Sequence, residues 1–361
     1  MTPPVVAVAA AGTGGHVEPA LTVAAAMVER GLDPERIVFF GGDRYEAEVV
    51  PARGFPFAGF ELVKLERTFT LRHLRIPLVV RRSAAAMAEE LRRRGVGAVL
   101  AMSGYVTVPA SLAARRLRIP LVLHEQNARP GLAARFAARS ARATYLGLPG
   151  LAERLPRSEI VGNPIRPGLA AFDRTTLRPE ALRRYDLPEG SPVVGVMGGS
   201  LGARVLNEAA AALVAGWDGP PISVVHLTGR TAAEEMHGRS GGARLPWRCL
   251  PFEDRMELFY AAADLVVCRA GAMTVSEVAA TGSAAVFVPL ERVGQQWNAA
   301  ALTGAGGGRT VPQAEIERLP STVRELVDDA AARRAMAAAA GARGLPGAAG
   351  VLADRVMEVL S

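Results

Sequence analysis

Three stretches of the sequence combine glycine with side chains that could act on a phosphate-bearing substrate. Gly12–His16 reads GTGGH and follows an apolar run, and Gly198–Ala203 reads GGSLGA and follows another. Cys268–Glu277 adds hydroxyl and carboxylate groups after a third. Glycine lets a phosphate or sugar approach the backbone, and the free N–H groups of a helix start favour anions. Each glycine loop could also be a tight structural turn.

His16 is the candidate general base, because an imidazole can take up a proton near neutral pH. A histidine that caps the helix or packs against it is the structural alternative. In the second loop, Ser200 can donate a hydrogen bond to a phosphate oxygen. Glycine loops in both halves of the chain indicate a nucleotide-binding architecture better than either loop alone.

The stretch Cys268–Glu277 predicts a helix that begins near Ala272. Its first turn would offer unpaired N–H groups, and Thr274 a hydroxyl, to a diphosphate. Glu277 lies nearly a turn and a half further on, where a carboxylate could accept hydrogen bonds from a pair of ribose hydroxyls. An ordinary capping arrangement with a surface carboxylate is the alternative.

Several kinds of chemistry have no motif in this sequence. It contains no Asp-x-Asp metal pair, zinc-ligand spacing, P-loop lysine or Gly-x-Ser-x-Gly elbow. We therefore expect neither a metal ion nor another cofactor, and helix N-termini and backbone amides would stabilise the leaving group. Cys249 and Cys268 suggest no disulfide framework, so the expected compartment is a reducing cytosol.

The elements that must position these residues follow an α/β pattern, in which short apolar runs alternate with helix-like stretches. Expected strands are Val5–Ala10, Ile37–Gly41, Ala98–Met102, Pro120–His124, Pro192–Met197, Ser223–Leu227, Leu265–Cys268 and Ala284–Val288. Expected helices are Pro19–Arg30, Arg204–Val214, one from Ala272, and two in Asp328–Ser361 that are split by Gly341–Gly350. The 361 residues predict two domains that divide after the turn-rich Gly162–Pro167.

Composition limits the partners. With 50% hydrophobic and 21% charged residues the chain has a folded-globule balance, and its net charge of +7 attracts phosphates. Only 5% of residues are aromatic, and they do not alternate with basic residues as in a base-stacking surface, so we expect no nucleic-acid partner.

The N-terminus has no basic region before its apolar run, and no run reaches the ~18 apolar residues of a spanning helix. Any membrane contact would then be peripheral.

Taken in order, these motifs resemble the MurG family, UDP-N-acetylglucosamine transferases that convert lipid I to lipid II in peptidoglycan synthesis. The resemblance runs from Gly12–His16 through Gly104-Tyr105, His124–Asn127 and Gly162–Arg166 to the second-half motifs. It implies an α/β GT-B fold of two Rossmann-like domains facing across a cleft, metal-independent chemistry and inversion at the anomeric carbon. The implied domains are an acceptor and membrane-associating domain at 1–165, a UDP-sugar domain at 166–340, and a C-terminal helix at 341–361 that packs back toward the first domain.

The resemblance also assigns roles to individual residues. His16 would take the proton of the acceptor hydroxyl, and Ser103, Gly104 and Tyr105 would lie on the acceptor side. Gln295 would reach the sugar hydroxyls, because the family's glutamine stands three residues before an asparagine, here Asn298. The other implied UDP-sugar contacts are Thr13, Gly14, Gly15, Asn127, Arg166, Ser200, Glu253, Ala272, Met273, Thr274, Val275, Ser276 and Glu277, of which Glu253, beside Phe252, would lie near the nucleobase by position only.

Two positions differ from the family pattern. Ser103 stands where a glycine precedes Gly104-Tyr105 in the family, and Ala11-Gly12 replaces a usual glycine pair. Both lie in the acceptor half, so a transferase of a natural-product pathway, acting on another lipid phosphate such as a phosphoglycolipid, stays open as an alternative. A different class is a non-catalytic nucleotide-sugar sensor or a nucleic-acid-binding protein on the same scaffold.

The segment Thr70–Arg82 is the candidate membrane contact. Leu71, Leu74 and Leu78 fall at helical spacing, among the arginines Arg72, Arg75, Arg81 and Arg82. Such a segment suits an anionic leaflet at the cytoplasmic face of the membrane. Pro77 would break a regular helix, and an apolar face is more often core. The expected partners are thus UDP-N-acetylglucosamine, a polyprenyl-diphosphate-linked acceptor and an anionic membrane surface.

Overall fold

The computed structural model describes residues 5–12, 14–62, 76–199 and 202–360. The chain forms two compact units. The first contains Met1–Arg166 together with Gly347–Ser361, and the second contains Pro167–Pro346. The domain boundaries expected from the resemblance fell after residues 165 and 340.

The first unit is built on a seven-stranded sheet in which neighbouring strands pair in parallel, in the order β3-β2-β1-β4-β5-β6-β7. The strands are β1 Val5–Ala9, β2 Ile37–Gly41, β3 Phe57–Gly59, β4 Val96–Ala101, β5 Leu121–Glu125, β6 Ala143–Leu146 and β7 Ser158–Ile160. The central strands are continuous apolar runs because helices cover both faces of a parallel sheet. The helices are α1 Gly14–Glu29, α2 Tyr45–Ala52, α3 Ile76–Arg93, α4 Thr107–Leu117 and α5 Leu132–Ala137, with α15 Ala348–Glu358 from the end of the chain.

The second unit repeats this plan with a six-stranded parallel sheet in the order β10-β9-β8-β11-β12-β13. Its strands are β8 Val193–Met197, β9 Ser223–Leu227, β10 Trp247–Leu250, β11 Leu265–Cys268, β12 Ala285–Phe287 and β13 Arg309–Thr310. Its helices are α6 Pro167–Ala170, α7 Arg174–Arg184, α8 Arg204–Ala215, α9 Ala233–Ser240, α10 Met256–Ala262, α11 Ala272–Ala280, α12 Gln295–Thr303, α13 Leu319–Asp328 and α14 Ala330–Gly341. Short 3₁₀ helices occupy Pro34–Arg36, Leu151–Arg154, Arg230–Ala232, Glu291–Val293 and Gln313–Arg318.

The hydrophobic cores lie on the faces of the sheets. Strand β1 supplies both cores of the first unit, because Val6 and Val8 belong to one buried cluster and Ala7 and Ala9 to the other. This alternation follows from the two-residue period of a strand. Helix α15 contributes Leu352, Ala353 and Val356 to the first of these clusters. Residues from both ends of the chain therefore pack in the same core.

Strand order also fixes where each unit can bind a ligand. In each sheet the connection reverses direction beside the first strand of the unit, between β1 and β4 and between β8 and β11. Ligands of open parallel sheets bind outside the carboxyl ends of the strands at such a switch point. The three stretches singled out in the sequence follow β1, β8 and β11. The predicted α/β class with two Rossmann-like domains is confirmed.

Three local expectations need correction. Helix α1 begins at Gly14 rather than at Pro19, because its buried Val17, Ala20 and Leu21 pack into the core and outweigh the poor helix propensity of the glycines. Pro77 does not break the helix over the described residues, since α3 includes it and continues to Arg93. Residues 341–350 are not a complete break, because α15 already begins at Ala348.

Candidate active site

The glycine loop after β1 turns sharply and is held by a carboxylate. Gly12 has a φ of 114°, a conformation that side-chain-bearing residues rarely adopt. Its N–H donates to Glu46 Oε2 at 3.1 Å. Thr13 lies outside the described residues, and α1 begins at Gly14, so that His16 sits in the first turn of the helix. The sequence placed a titratable group next to this loop, and the structure places that group at the carboxyl edge of the sheet.

His16 is surrounded by the loop that follows β4. Its ring is partly exposed while its Nδ1 is buried. A Cβ on Gly104 would lie 3.8 Å from both Cδ2 and Nε2 of this ring. Burial lowers the pKa of His16 below 6.5, and hydrogen bonds with the Met102 backbone and the Gln126 side chain only partly oppose that. The imidazole is therefore neutral at pH 7, the state in which a base can accept a proton.

The acceptor-side residues of the prediction form a sharp turn in which Ser103 is buried and Gly104 and Tyr105 are partly exposed. Ser103 and Gly104 both have positive φ, 56° and 80°. The Ser103 hydroxyl donates to the His124 carbonyl at 2.8 Å and lies 3.2 Å from Glu125 Oε2. Glycine would adopt this backbone without strain, whereas Ser103 is strained there and its single hydroxyl proton is donated to the nearer acceptor, the His124 carbonyl.

Glu125 organises the segment that carries Asn127. Its Oε1 accepts the Asn127 N–H at 2.9 Å and the Asn127 Nδ2 at 3.1 Å. Burial raises the pKa of Glu125, and hydrogen bonds from Asn127, Gly131 and Ser103 oppose the rise. The first unit thus brings His16, Ser103–Tyr105 and Asn127 to one edge of its sheet. Arg166, at the end of this unit, lies close enough to Tyr45 for its charge to act on the tyrosine pKa.

The second unit contains a cavity of about 460 Å³ beside its switch point. Gly198, Gly199, Gly202 and Ala203 line it from the loop after β8, with Val205 from α8. The rest of the lining comes from Arg269, Gly271, Thr274, Leu290, Arg292, Gln295 and Gln313. Ser200 and Leu201 lie outside the described residues. The second glycine loop, the start of α11 and Gln295 therefore meet at one cavity.

Helix α11 begins at the position that the sequence indicated. Gly271 is its N-cap, and Thr274 faces the cavity from its first turn. Ala272 and Val275 are buried, so they can offer a ligand their backbone only, whereas Met273 and Ser276 are partly exposed. Glu277 Oε2 accepts the Tyr260 hydroxyl at 3.0 Å, which orients the carboxylate. First-turn N–H groups and the helix dipole favour an anion here.

The two glutamines differ in their surroundings. Gln295 lines the cavity and its Oε1 accepts the Leu290 N–H at 2.9 Å, which leaves its NH₂ group as the donor that can face a ligand. Gln296 instead has a buried Oε1. The geometry favours Gln295, the glutamine chosen from its spacing to Asn298.

Glu253, predicted to lie near the nucleobase, is buried and engaged within the protein. Its carboxylate accepts the Tyr185 hydroxyl at 2.9 Å and the Arg255 N–H at 3.0 Å, and Arg184 lies 3.4 Å away. A contact from Glu253 to the nucleobase would therefore come from its backbone. Beside it, the Phe252 ring has the Arg230 guanidinium 5.9 Å from its centroid.

Some residues of the site had no predicted role. Arg269 lines the cavity while donating to the Val288 carbonyl at 2.9 Å and to Gln313 Oε1 at 2.7 Å. It lies inside the stretch 268–277, so its charge next to the helix start was a signal that could have found it. Arg292 adds a second cation to the lining. Within 5–12, 14–62, 76–199 and 202–360, no group of three or more His, Cys, Asp or Glu could hold a metal ion.

Comparison with known proteins identifies the family. The model of the glycosyltransferase family 28 N-terminal domain matches residues 6–146, and that of the family 28 C-terminal domain matches residues 193–350. The chain belongs to glycosyltransferase family 28. The two matched regions contain β1 to β6 and β8 to β13, so the family assignment covers both switch points.

Two relatives of this family 28 chain carry the same name, UDP-N-acetylglucosamine--N-acetylmuramyl-(pentapeptide) pyrophosphoryl-undecaprenol N-acetylglucosamine transferase. The Nocardia farcinica protein is 42% identical over 86% of this chain and 83% of its own length. The Acidothermus cellulolyticus protein is 39% identical over 98% of this chain and 97% of its own length. The crystal structure of Acinetobacter baumannii MurG superposes with a TM-score of 0.80 at 27% identity, covering 99% of this chain and 100% of that one.

The glycotransferase of kitacinnamycin also has a similar structure, with a TM-score of 0.71 at 18% identity over 100% of both chains. At that identity the likeness concerns the fold alone. The predicted resemblance to the MurG family and the GT-B fold are thus confirmed.

Proposed function

We propose that this chain transfers N-acetylglucosamine from UDP-N-acetylglucosamine to the muramyl 4-hydroxyl of lipid I, a polyprenyl-diphosphate-linked acceptor. The product would be lipid II. The observation that carries the proposal is the 39% identity to the Acidothermus transferase over nearly the whole of both chains. Relatives of this kind favour the cell-wall reaction over another lipid-phosphate acceptor.

In the proposed reaction, His16 is the base. The acceptor oxygen attacks the anomeric carbon as its proton passes to the neutral imidazole of His16, and the bond between that carbon and the UDP oxygen breaks. UDP leaves with the bonding electron pair, and attack from the opposite side inverts the anomeric centre. The lowered pKa of His16 and its place at the edge of the first sheet support this role.

The donor would bind in the second unit. The first turn of α11 and the cations Arg269 and Arg292 would stabilise the diphosphate as negative charge grows on the leaving group. Glu277 would accept hydrogen bonds from the ribose hydroxyls, and Gln295 would donate to the sugar. Arg166 and Ser200 are further proposed diphosphate contacts, and Thr13, Gly14, Gly15 and Asn127 proposed sugar contacts.

Membrane attachment would use the first unit. In α3, Leu78 is 51% exposed and stands beside the exposed Arg81 and Arg82. In α5, Leu132 and Phe136 are 72% and 39% exposed, one turn apart and hence on one face. Residues 70–75 of the proposed contact, Thr70–Arg82, lie outside the described part of the chain. Exposed apolar side chains with arginines beside them suit an anionic lipid surface.

No helix of the described segments has the length and apolar character to cross a bilayer.

Vesicle flotation tests the membrane proposal. Replacing Arg81 and Arg82 by Glu should weaken binding to vesicles that contain phosphatidylglycerol, because each basic residue contributes roughly 1 kcal/mol at such a surface. Replacing Arg92 and Arg93 by Glu is the matched control, since both are exposed at the other end of the same helix. Equal binding of both variants would count against this face.

A transfer assay tests the reaction. Purified protein, radiolabelled UDP-N-acetylglucosamine and a short-chain lipid I analogue are incubated in EDTA, beside a reaction without acceptor. Product that forms only with the acceptor supports the donor, the acceptor and metal-independent chemistry together. Donor binding without transfer to lipid I would refute the acceptor and direct the search to another lipid phosphate.

A further inference from the structure

A buried carboxylate outside the predicted site holds the loop that precedes His16. Glu46 belongs to α2 and is fully buried, with 0% of its surface exposed. Its Oε2 accepts the Gly12 N–H at 3.1 Å and its Oε1 accepts the Gly42 N–H at 2.9 Å. Gly12 follows β1 and Gly42 follows the neighbouring β2, so one side chain joins two loops at the carboxyl edge of the sheet.

The surrounding backbone is shaped to admit this carboxylate. A Cβ on Gly41 would lie 2.6 Å from Glu46 Cγ, and a Cβ on Gly42 would lie 3.1 Å from Glu46 Oε1. The pair Gly41-Gly42 therefore leaves space that Glu46 fills. Burying a carboxylate is costly unless its oxygens are hydrogen-bonded, and here each oxygen accepts a backbone N–H. A neutral amide could satisfy only one of the two donors, because its NH₂ group would oppose the other.

The hydrogen bond between Gly12 and Glu46 is connected to the proposed base, His16, by a short stretch of backbone. Gly12 and the start of α1 at Gly14 are separated by one residue, and His16 lies in the first turn. Helix α2 also meets α1 a little further along, where the Tyr45 hydroxyl donates to Glu18 Oε1. Two consecutive residues of α2 thus restrain α1 before and after His16.

We infer that Glu46 is a positioning residue that sets the orientation of His16 by fixing the Gly12 loop. The inference rests on the proposed role of His16 as the base. It also means that the Gly12 N–H is already used and does not bind a donor phosphate. Within this loop, the Gly12 amide is therefore a support for the base rather than a phosphate contact.

Replacing Glu46 by Gln tests this positioning. The side chain keeps its size but can accept only one of the two N–H groups, so kcat should fall about tenfold to a hundredfold, the effect of misplacing a catalytic group by about 1 Å. The KM for UDP-N-acetylglucosamine should change far less than kcat, since its proposed contacts with α11, Arg269, Arg292 and Gln295 lie in the second unit. Glu48→Gln is the matched control, because Glu48 is exposed on the same helix. Its kcat should equal that of the wild type.

A double-mutant cycle separates positioning from simple destabilisation. If Glu46 acts through His16, adding Glu46→Gln to His16→Ala should lower kcat no further, whereas independent effects would multiply. Hydrogen exchange should also be faster at the Gly12 amide in Glu46→Gln, at a pH where both proteins are folded. Multiplying effects, or an unchanged kcat per folded molecule in Glu46→Gln, would overturn the inference.

The two proposals can fail separately. If wild type and His16→Ala turn over alike, the role of His16 is wrong and the inference about Glu46 falls with it. If His16→Ala is inactive while Glu46→Gln matches Glu48→Gln, the reaction stands and only the inference is wrong.

Discussion

The two glycine loops of this protein share a plan and differ in what lies behind them. Each follows the first strand of its sheet and leads into a helix. Behind the first loop lies the carboxylate of Glu46, and a histidine stands in the helix that follows. Beside the second loop lie two cations of the cavity, Arg269 and Arg292. The same backbone device therefore stands beside the proposed proton acceptor in one unit and beside the proposed diphosphate site in the other.

The anchoring of the helices differs in the same way. In the second unit the neutral Asn207 of α8 donates to the Thr228 carbonyl at 2.9 Å, and its Oδ1 lies 3.0 Å from His226 Nε2. Glycine loops alone do not tell an anion site from a base site, because their N–H groups serve either a ligand or a side chain. If the charge of the neighbouring side chains separates the two roles, changes around the first loop should act mainly on turnover and changes around the second mainly on donor affinity.

The largest expected effect is that of His16→Ala. Loss of a general base should lower kcat by roughly 10² to 10⁴ while UDP still binds. In the wild type kcat/KM should rise with pH through a pKa below 6.5 and then level off, since only neutral imidazole accepts the proton. The variant should lack this acid limb. Near-wild-type turnover with an unchanged pH profile, measured in the transfer assay, would remove His16 from the mechanism.

Gly202→Ala tests the second glycine loop, which lines the proposed donor site, separately from the first loop. Gly202 has a φ of 73°, and a Cβ there would lie 2.3 Å from the Thr228 carbonyl oxygen, so the loop must move. Donor affinity, measured by calorimetry with UDP, should fall about a hundredfold. Gly199→Ala is the matched control, because Gly199 also has positive φ, 91°, but its Cβ would meet nothing within 4 Å. Equal losses in both variants would show that backbone strain alone, at ~1–2 kcal/mol, explains the effect.

Glu277→Ala should weaken UDP binding by about thirtyfold, which corresponds to ~2 kcal/mol for hydrogen bonds to a charged group. Its kcat at saturating donor should change little if the carboxylate holds the ribose equally in the ground and transition states. Glu208→Ala, an exposed carboxylate paired with Arg239, is the control. An unaltered UDP affinity in Glu277→Ala would exclude the proposed ribose contact.

The smallest effect on turnover is expected when the buried histidines are replaced, His124 in the first unit and His226 in the second. Burial lowers the pKa of His124 and of His226 to about 4. Their unfolded-state pKa is near 6.5, so between pH 6.5 and pH 4 the unfolded chain binds more protons and stability falls as pH falls. At pH 5 each should contribute on the order of 2 kcal/mol of this loss.

His124→Gln and His226→Gln should each remove one part of the acid sensitivity and leave neutral turnover nearly unchanged. Thermal unfolding of each variant at pH 7.5 and pH 5 measures the fall in Tm on acidification. If both variants keep the full drop in Tm, other groups cause the acid loss.

Most of the sheet could be predicted from the sequence. Ile37–Gly41, Ser223–Leu227 and Leu265–Cys268 were placed at their observed bounds, because central parallel strands are uninterrupted apolar runs. The strands β3, β6, β7, β10 and β13 had no counterpart in the prediction. They have two to four residues each, and runs that short carry too little pattern to be told from a loop.

The site shows the same limit. His16, Thr274, Glu277 and Gln295 could be chosen because a motif or a strand–loop–helix order surrounds them. Glu46 has no such signal, because its partners are backbone amides 34 and 4 residues away and no side-chain pattern records them.

The sequence by itself determined the class of the fold, the family and the two loops with their candidate residues, since these depend on local periodicity and on motif order. Tertiary structure alone decided which side chains surround each loop. Packing brings Glu46 to Gly12 and Arg269 to Gln313, and it sends α15 back to the core of the first unit. A buried hydrogen bond between distant residues depends on where the strands lie in the sheet, and that order is a property of the folded chain.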